Sequence, residues 1–458
     1  MIPLTAQELA QIVEGTYFGD TSLRVSGDVV FDSRTATSGS IFAALVGQAE
    51  DGHDFVADAF RNGATLALVA RPVPGNHILV KDVLVALSKL AREVRSRLKN
   101  LKVIGITGSQ GKTTTKDMLQ SILSSAGKSI APIGSYNNDI GVPITLLRCD
   151  ESTNYCVLEM GARHEGDIAR LTEIAAPDVG VVLRVGTAHL GEFGSREVIA
   201  RTKGELIRGL GSNAVAVLGT YDEFTPHMAD ALPIRTLTFG EVATAKIRAA
   251  DIEIRGGFPA FDLVTPEGRE RVELQVLGEH QISNALAAAA AAVALGVSTP
   301  EIAAALSTHE SSSKWRMELR ELGGLTLIND AYNANPESMA AALRTLVLLT
   351  QERGGNSWAF LGKMHELGDD SPKMHEEIGR LVGELGIDHL VAIAETGYIK
   401  GASGSSTSIH PFADPESCQV LIQKFQPGDV VLVKASRAEH LELIAEQIVN
   451  EWSNRGEN

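Results

Sequence analysis

Apolar residues recur along this chain with two periods, about 2 and about 3.6, and their alternation divides it into three units. In the first, helical patterns at 6–13 and 54–62 alternate with short apolar runs at 29–31, 41–44 and 65–69. Residues 86–100, ALSKLAREVRSRLKN, predict a charged connector helix. From 101 the pattern becomes strand–helix–strand, with strands at 102–107, 155–160, 179–185 and 214–218 and helices at 112–126, 165–175 and 196–210. Such alternation predicts a parallel sheet covered on both faces. A β-rich stretch follows at 236–277, then an Ala-rich helix at 282–295 and another at 299–308. The polar run HESSSKWR (309–316) predicts a linker. Beyond it, strands near 325–330, 356–361, 387–394 and 429–435 and helices at 336–349, 371–385 and 438–452 predict a further α/β unit.

Composition narrows the classes of partner. The 458 residues divide into roughly three domains at about 100–200 residues each. With 44% hydrophobic and 21% charged residues, the chain buries ordinary cores. Its net charge of −16 gives no counterion-release gain on nucleic acid, so no nucleic-acid partner is expected, and any anionic ligand must be held by local groups. The N-terminal segment lacks a basic region and a long apolar core, and the most apolar run, 285–297, is too short to span a bilayer. Cys149, Cys156 and Cys418 form no CxxC pair. A cytoplasmic protein without a membrane span is expected.

The strongest local signal is KVIGITGSQGKTTTKDML, an apolar strand running into a glycine-containing turn and then a helix. Gly108, Ser109, Gln110 and Gly111 let the backbone approach phosphates, and the helix start offers free N–H groups with a partial positive charge. Lys112 is placed to reach terminal phosphates, and Thr113 to reach Mg²⁺. The position five residues before Gly111 is Ile106 rather than glycine, so the loop is a shortened TGxxGKT form.

The loop is followed in order by YNNDIGVP (136–143), VLEMGA (157–162), TAHLGEFGS (187–195), RTKGEL (201–206), HQISNALAAAA (280–290), KWRME (314–318), NDAYNANP (329–336) and VKASR (433–437). In these motifs and their order the chain resembles the Mur ligases, enzymes of cell-wall precursor synthesis, over nearly its whole length. The resemblance implies an α/β protein of three domains. A small N-terminal α/β domain (1–85) would bind a UDP-linked substrate, and a central P-loop-type parallel-sheet domain (86–312) would bind ATP. A C-terminal Rossmann-like α/β domain (313–458) would bind a D-dipeptide and complete the ATP site.

The resemblance also assigns roles. Gly108 to Thr113 and Thr114 would cradle ATP, with Asn284 on the adenine, Asp330 on the ribose and Arg316 on the γ-phosphate. Two Mg²⁺ would be held by Thr113, Glu159, His189 and Lys203, the last as a carbamate formed from CO₂. Without that modification a lysine is a poor metal ligand, and the alternative is a surface lysine on an amphipathic helix. Lys112, Lys203, His189 and Arg316 would carry the catalysis. Two departures stand out: Gln281 occupies a position usually Asn, and Lys314-Trp315-Arg316 replaces a Pro-Gly-Arg type of sequence.

FDSRTATSGSIFAALVGQAEDGHDFVADAFRNGA (31–64) is similar to the uridine-nucleotide domain of the last two peptide-adding members, with Ser33 and Arg34 in its DSR element. The implied partners are UDP-N-acetylmuramoyl-tripeptide and D-alanyl-D-alanine, contacted by Asn137, Asn138, Asn333, Asn335, Ser436 and Arg437, with the chain acting as a monomer. Arg437 reads equally as a dipeptide-carboxylate partner or as half of a structural ion pair. The preceding, diamino-acid-adding member typically carries Asp-Asn-Pro-Arg when it adds diaminopimelate, and this chain lacks it. A folylpolyglutamate synthase would lack the N-terminal unit. A P-loop ATPase driving a partner protein is the alternative from another class, and product formation separates it.

Overall fold

In the computed structural model, residues 1–453 other than 48, 189, 311 and 312 are described. His189 and two serines of the linker therefore lie outside the described residues. Three large sheets organise the chain.

The first has five strands in the order Thr16–Phe18, His77–Leu79, Leu66–Val69, Ile41–Ala43, Val29–Val30. The continuous apolar runs predicted the two fully buried strands, Ile41–Ala43 and Leu66–Val69. The connector is the helix Val83–Arg97, shifted three residues towards the N-terminus because Asp82 caps it through Leu84 and Val85 N–H. It is no exposed strut. Ala86, Leu87, Leu90, Ala91 and Val94 form a helical-period stripe that is buried. That stripe joins the N-terminal unit and one face of the central sheet into a single apolar cluster, from Met1 through Leu9 and Leu90 to Leu146, Leu171 and Leu218.

The central sheet has nine strands. Lys102–Thr107 lies third from one edge, parallel to Tyr155–Glu159 on one side and Val179–Val182 on the other. The third strand ends three residues before the predicted 185, and its continuation is a loop. Val215–Gly219 and Arg235–Gly240 extend the parallel part. The β-rich stretch completes the same sheet as an antiparallel meander, Ile247–Arg255, Phe258–Thr265 and Gly268–Glu273. The helix Gln281–Ala294 buries its alanine run against the phosphate-loop helix Lys112–Ala126. Side chains that small let the two helices approach closely.

The third sheet has six strands in the order Glu318–Leu322, Leu325–Asp330, Val430–Lys434, Ser357–Leu361, His389–Ile393, Ser408–Phe412. The first is antiparallel and the rest are parallel. Its inner strands end at Asp330 and Lys434, and the central strands end at Thr107 and Glu159. Carboxyl ends of parallel strands are where open α/β sheets gather ligands. Here the two sets of ends line one cleft. Among the described residues no helix is long and apolar enough to cross a membrane.

Candidate active site

The phosphate loop is set by one backbone conformation. Gly111 sits at φ +83 as the N-cap of Lys112–Ala126, a left-handed geometry that β-carbons disfavour. A β-carbon there would stand 2.2 Å from Asn284 Oδ1. Gly111→Ala is therefore expected to raise the KM for ATP by about tenfold or more, because strain of about 1–2 kcal/mol falls directly on the loop. Steady-state kinetics at varied ATP check this, and an unchanged KM would remove the loop from the nucleotide site.

Lys112 donates to the Gly108 carbonyl at 2.7 Å. Burial lowers its pKa, the Glu159 charge acts against that shift, and Arg316 adds to it. Thr113 Oγ1 lies 3.1 Å from Ser135 Oγ and donates to Glu159 Oε2 at 3.4 Å. Glu159 is buried at the end of its strand, and its Oε1 has no hydrogen-bond partner. Burial raises its pKa, with Lys112 the largest opposing influence. An orphaned carboxylate oxygen beside a threonine hydroxyl is a hard-oxygen donor set that fits Mg²⁺.

Lys203, on the helix Arg196–Arg208, is buried at 3% exposure, which excludes the surface alternative. No acceptor pairs with its amine among the described residues. Burial, reinforced by Lys112, lowers its pKa to about 7. A substantial fraction is then the neutral amine, the form able to add CO₂.

Across the cleft, Arg316 donates to Ser135 Oγ at 3.1 Å and lies 4.1 Å above the Tyr332 ring. Asp330 is ion-paired with the buried Lys434 and accepts the Met317 N–H at 3.1 Å. Lys434 also donates to the Asn333 carbonyl at 2.9 Å. Asn284 donates to Gln281 Oε1 at 2.7 Å, so the departure at 281 leaves a side chain that orients Asn284. These groups line a cavity of about 340 Å³ between the central and third units, with Ser109, Gln110, Thr114, Asn137, Asn333 and Asn335 on its walls. The two units touch around it. Glu337 accepts from Thr187 N–H at 2.8 Å and from its hydroxyl, Ser313 donates to Asp117 at 2.6 Å, and Arg163 meets Glu366 at 3.3 Å.

Other expected residues stand apart from the cavity walls. Arg34 is 86% exposed in its side chain and pairs with Asp32, and Ser33 accepts from Asn62 through its carbonyl. Asn138 Oδ1 accepts from Ile140 and Gly141 N–H, so its side chain shapes a turn. Asn335, on the wall, also caps Pro336–Arg353. Ser436 Oγ accepts the His365 N–H. Arg437 is ion-paired with Glu442 and stacked 4.5 Å from the Trp315 ring. Its fork is thus engaged within the third unit rather than offered to the cavity. Sequence reasoning passed over His280, Lys434, Tyr332 and Glu337. Lys434 ends an otherwise apolar strand, VVLVK, and a lone charge there was the available signal. His280 stands half-buried in the wall, and desolvation lowers its pKa to about 4, so it presents a neutral imidazole.

Comparison with known proteins agrees with this arrangement. Residues 106–292 match the Mur ligase middle domain and 315–437 the Mur ligase glutamate ligase domain. A UDP-N-acetylmuramoyl-tripeptide–D-alanyl-D-alanine ligase of Mycobacterium bovis is 41% identical over 98% of both chains. The chain belongs to the Mur ligase family. Among solved structures, MurF from Acinetobacter baumannii superposes with a TM-score of 0.89 at 37% identity, covering 98% of this chain and 99% of that one. MurF from Thermotoga maritima, solved in complex with ADP, superposes at 0.81 with 32% identity, covering 94% and 99%. The Mur ligase likeness thus includes the N-terminal unit, which neither domain match reaches.

Proposed function

We propose that this chain joins D-alanyl-D-alanine to UDP-N-acetylmuramoyl-tripeptide, forming ADP and phosphate, in the synthesis of a peptidoglycan precursor. The observation that carries this reading is the convergence of Lys112, Arg316 and the unpartnered Glu159 oxygen on one interdomain cavity. The names of its full-length relatives supply the two substrates. A carboxylate is a poor acyl donor at neutral pH. Moving the γ-phosphoryl group of ATP onto the tripeptide carboxylate gives an acyl phosphate, which the dipeptide amine attacks as phosphate leaves. Lys112 and Arg316 face the charge that accumulates on the transferring group. Mg²⁺ bound at Thr113 and Glu159 would screen the same charge. Glu337, Ser313 and Arg163 bridge the two units beside the cavity, and closure along such contacts would keep water from the acyl phosphate.

Within this reading, residues 1–85 hold the uridine nucleotide, 86–312 ATP and 313–458 the dipeptide. Ser33, Arg34, Asn137 and Asn138 lie on the muramoyl-peptide side, with Asn333, Asn335 and Ser436 on the dipeptide side. His189 and a Lys203 carbamate would hold a second Mg²⁺. The enzyme works as a monomer in the cytoplasm. Phosphate release and a matching mass gain are expected only with UDP-muramoyl-tripeptide plus D-alanyl-D-alanine. Turnover of UDP-muramoyl-dipeptide with diaminopimelate or lysine would move the chain to the preceding step, and ATP hydrolysis indifferent to both peptides would make it a switch.

A further inference from the structure

Arg316 is flanked by two residues in the left-handed region, Trp315 at φ +59 and Met317 at φ +50. Neither is glycine, and a β-carbon makes this conformation unfavourable, so neighbours must hold it. For Met317 the holder is Asp330, which accepts its N–H, and the side chain is buried. For Trp315 there are three contacts. Its carbonyl accepts the Tyr332 N–H at 3.1 Å, its N–H approaches Glu318 Oε2 at 3.4 Å, and its ring carries the Arg437 guanidinium at 4.5 Å. Arg437 is itself anchored by the buried Glu442 at the start of Glu442–Ser453. The doubly kinked backbone between these anchors sends Arg316 across Tyr332 towards Ser135 of the central unit.

We propose that the Trp315–Arg437 stack is a positioning device for Arg316, holding the linker in the kink that aims the guanidinium into the nucleotide cavity. An indole face and a guanidinium plane attract each other, and Glu442 fixes the guanidinium while leaving its face free to stack. The left-handed conformation that a glycine would adopt unaided is supplied here by side-chain contacts. The inference rests on the reading of Arg316 as a γ-phosphate contact.

The test is a set of variants in the full chain, assayed for phosphate release with ATP and both peptide substrates. Trp315→Ala and Arg437→Ala are each expected to lower kcat/KM for ATP by about 10–100-fold, the effect of misplacing a reacting group by about 1 Å. Trp315→Phe keeps the stacking face and is expected to restore most of the activity. The deciding measurement is the double variant. On an Arg316→Ala background, Trp315→Ala should cost nothing further, because the residue through which it acts is gone. A Trp315→Ala protein with wild-type kinetics, or full additivity with Arg316→Ala, would overturn the proposal. Thermal unfolding of each variant separates lost positioning from lost folding: a drop in melting temperature that tracks activity, without rescue by Trp315→Phe, also overturns it. If Arg316→Ala itself leaves turnover unchanged, the failure belongs to the assignment of Arg316 and not to the stack.

Discussion

Lys112→Ala is expected to lose phosphate release by on the order of 10²–10³-fold or more while melting close to the wild-type temperature. The amine sits in the turn between a buried strand and its helix, and among the described residues its one hydrogen bond is to the Gly108 carbonyl at the mouth of the loop. Removing it breaks no packing in the core formed by Ile104, Ile106 and Met118. What disappears is a positive charge in a site where burial makes each charge count for more than in water. Glu159 then loses the main influence opposing its own burial. Single-turnover assays with both peptides, beside a melting curve, check this. Wild-type turnover in the folded variant would remove the phosphate loop from catalysis.

The second large effect is expected at Lys203. Lys203→Ala should retain less than about one hundredth of the activity, a loss on the scale of one removed electrostatic partner, and added short-chain carboxylates should restore part of it. Wild-type enzyme freed of CO₂ should slow and recover on adding bicarbonate. The buried amine also predicts a signature in stability that needs no turnover. Its pKa falls from 10.5 to about 7 on folding, so between those values the unfolded chain holds a proton that the folded chain has shed. Stability from this group therefore rises with pH across that window. Lys203→Met should flatten that slope in protein free of CO₂ and metal. A variant with full activity and an unaltered slope would return Lys203 to a packing role.

The phosphate loop was legible because its chemistry is local: strand, turn and helix follow one another within 25 residues of sequence. The order of the motifs likewise placed Glu159, Asn284 and Arg316 around one ligand. Contacts between distant segments were hidden. Nothing in VVLVK says that Lys434 pairs with Asp330, and nothing in NANPES says that Glu337 reaches Thr187. The connector helix was expected, but its many charges obscured the buried stripe of alanine, leucine and valine on one face. Trp315 in place of a glycine suggested a different linker, whereas the backbone keeps the glycine-like turn and the ring acquires a partner. Sequence alone likewise does not reveal that the Asn138 side chain shapes a turn or that Arg437 pairs with Glu442.

The apolar cluster shared by the first sheet, the helix Val83–Arg97 and one face of the central sheet turns two of the three domains into a caliper. One jaw would grip the uridine nucleotide and the other present the phosphate loop, at a spacing set by the core they share. Each residue of an extended stem covers about 3.3–3.6 Å. A stem shorter by one residue would stop that far from the transferring phosphoryl group, about the whole distance over which attack is effective. Peptide length could then be measured by rigid spacing alone, with no side chain needed to read the missing residue.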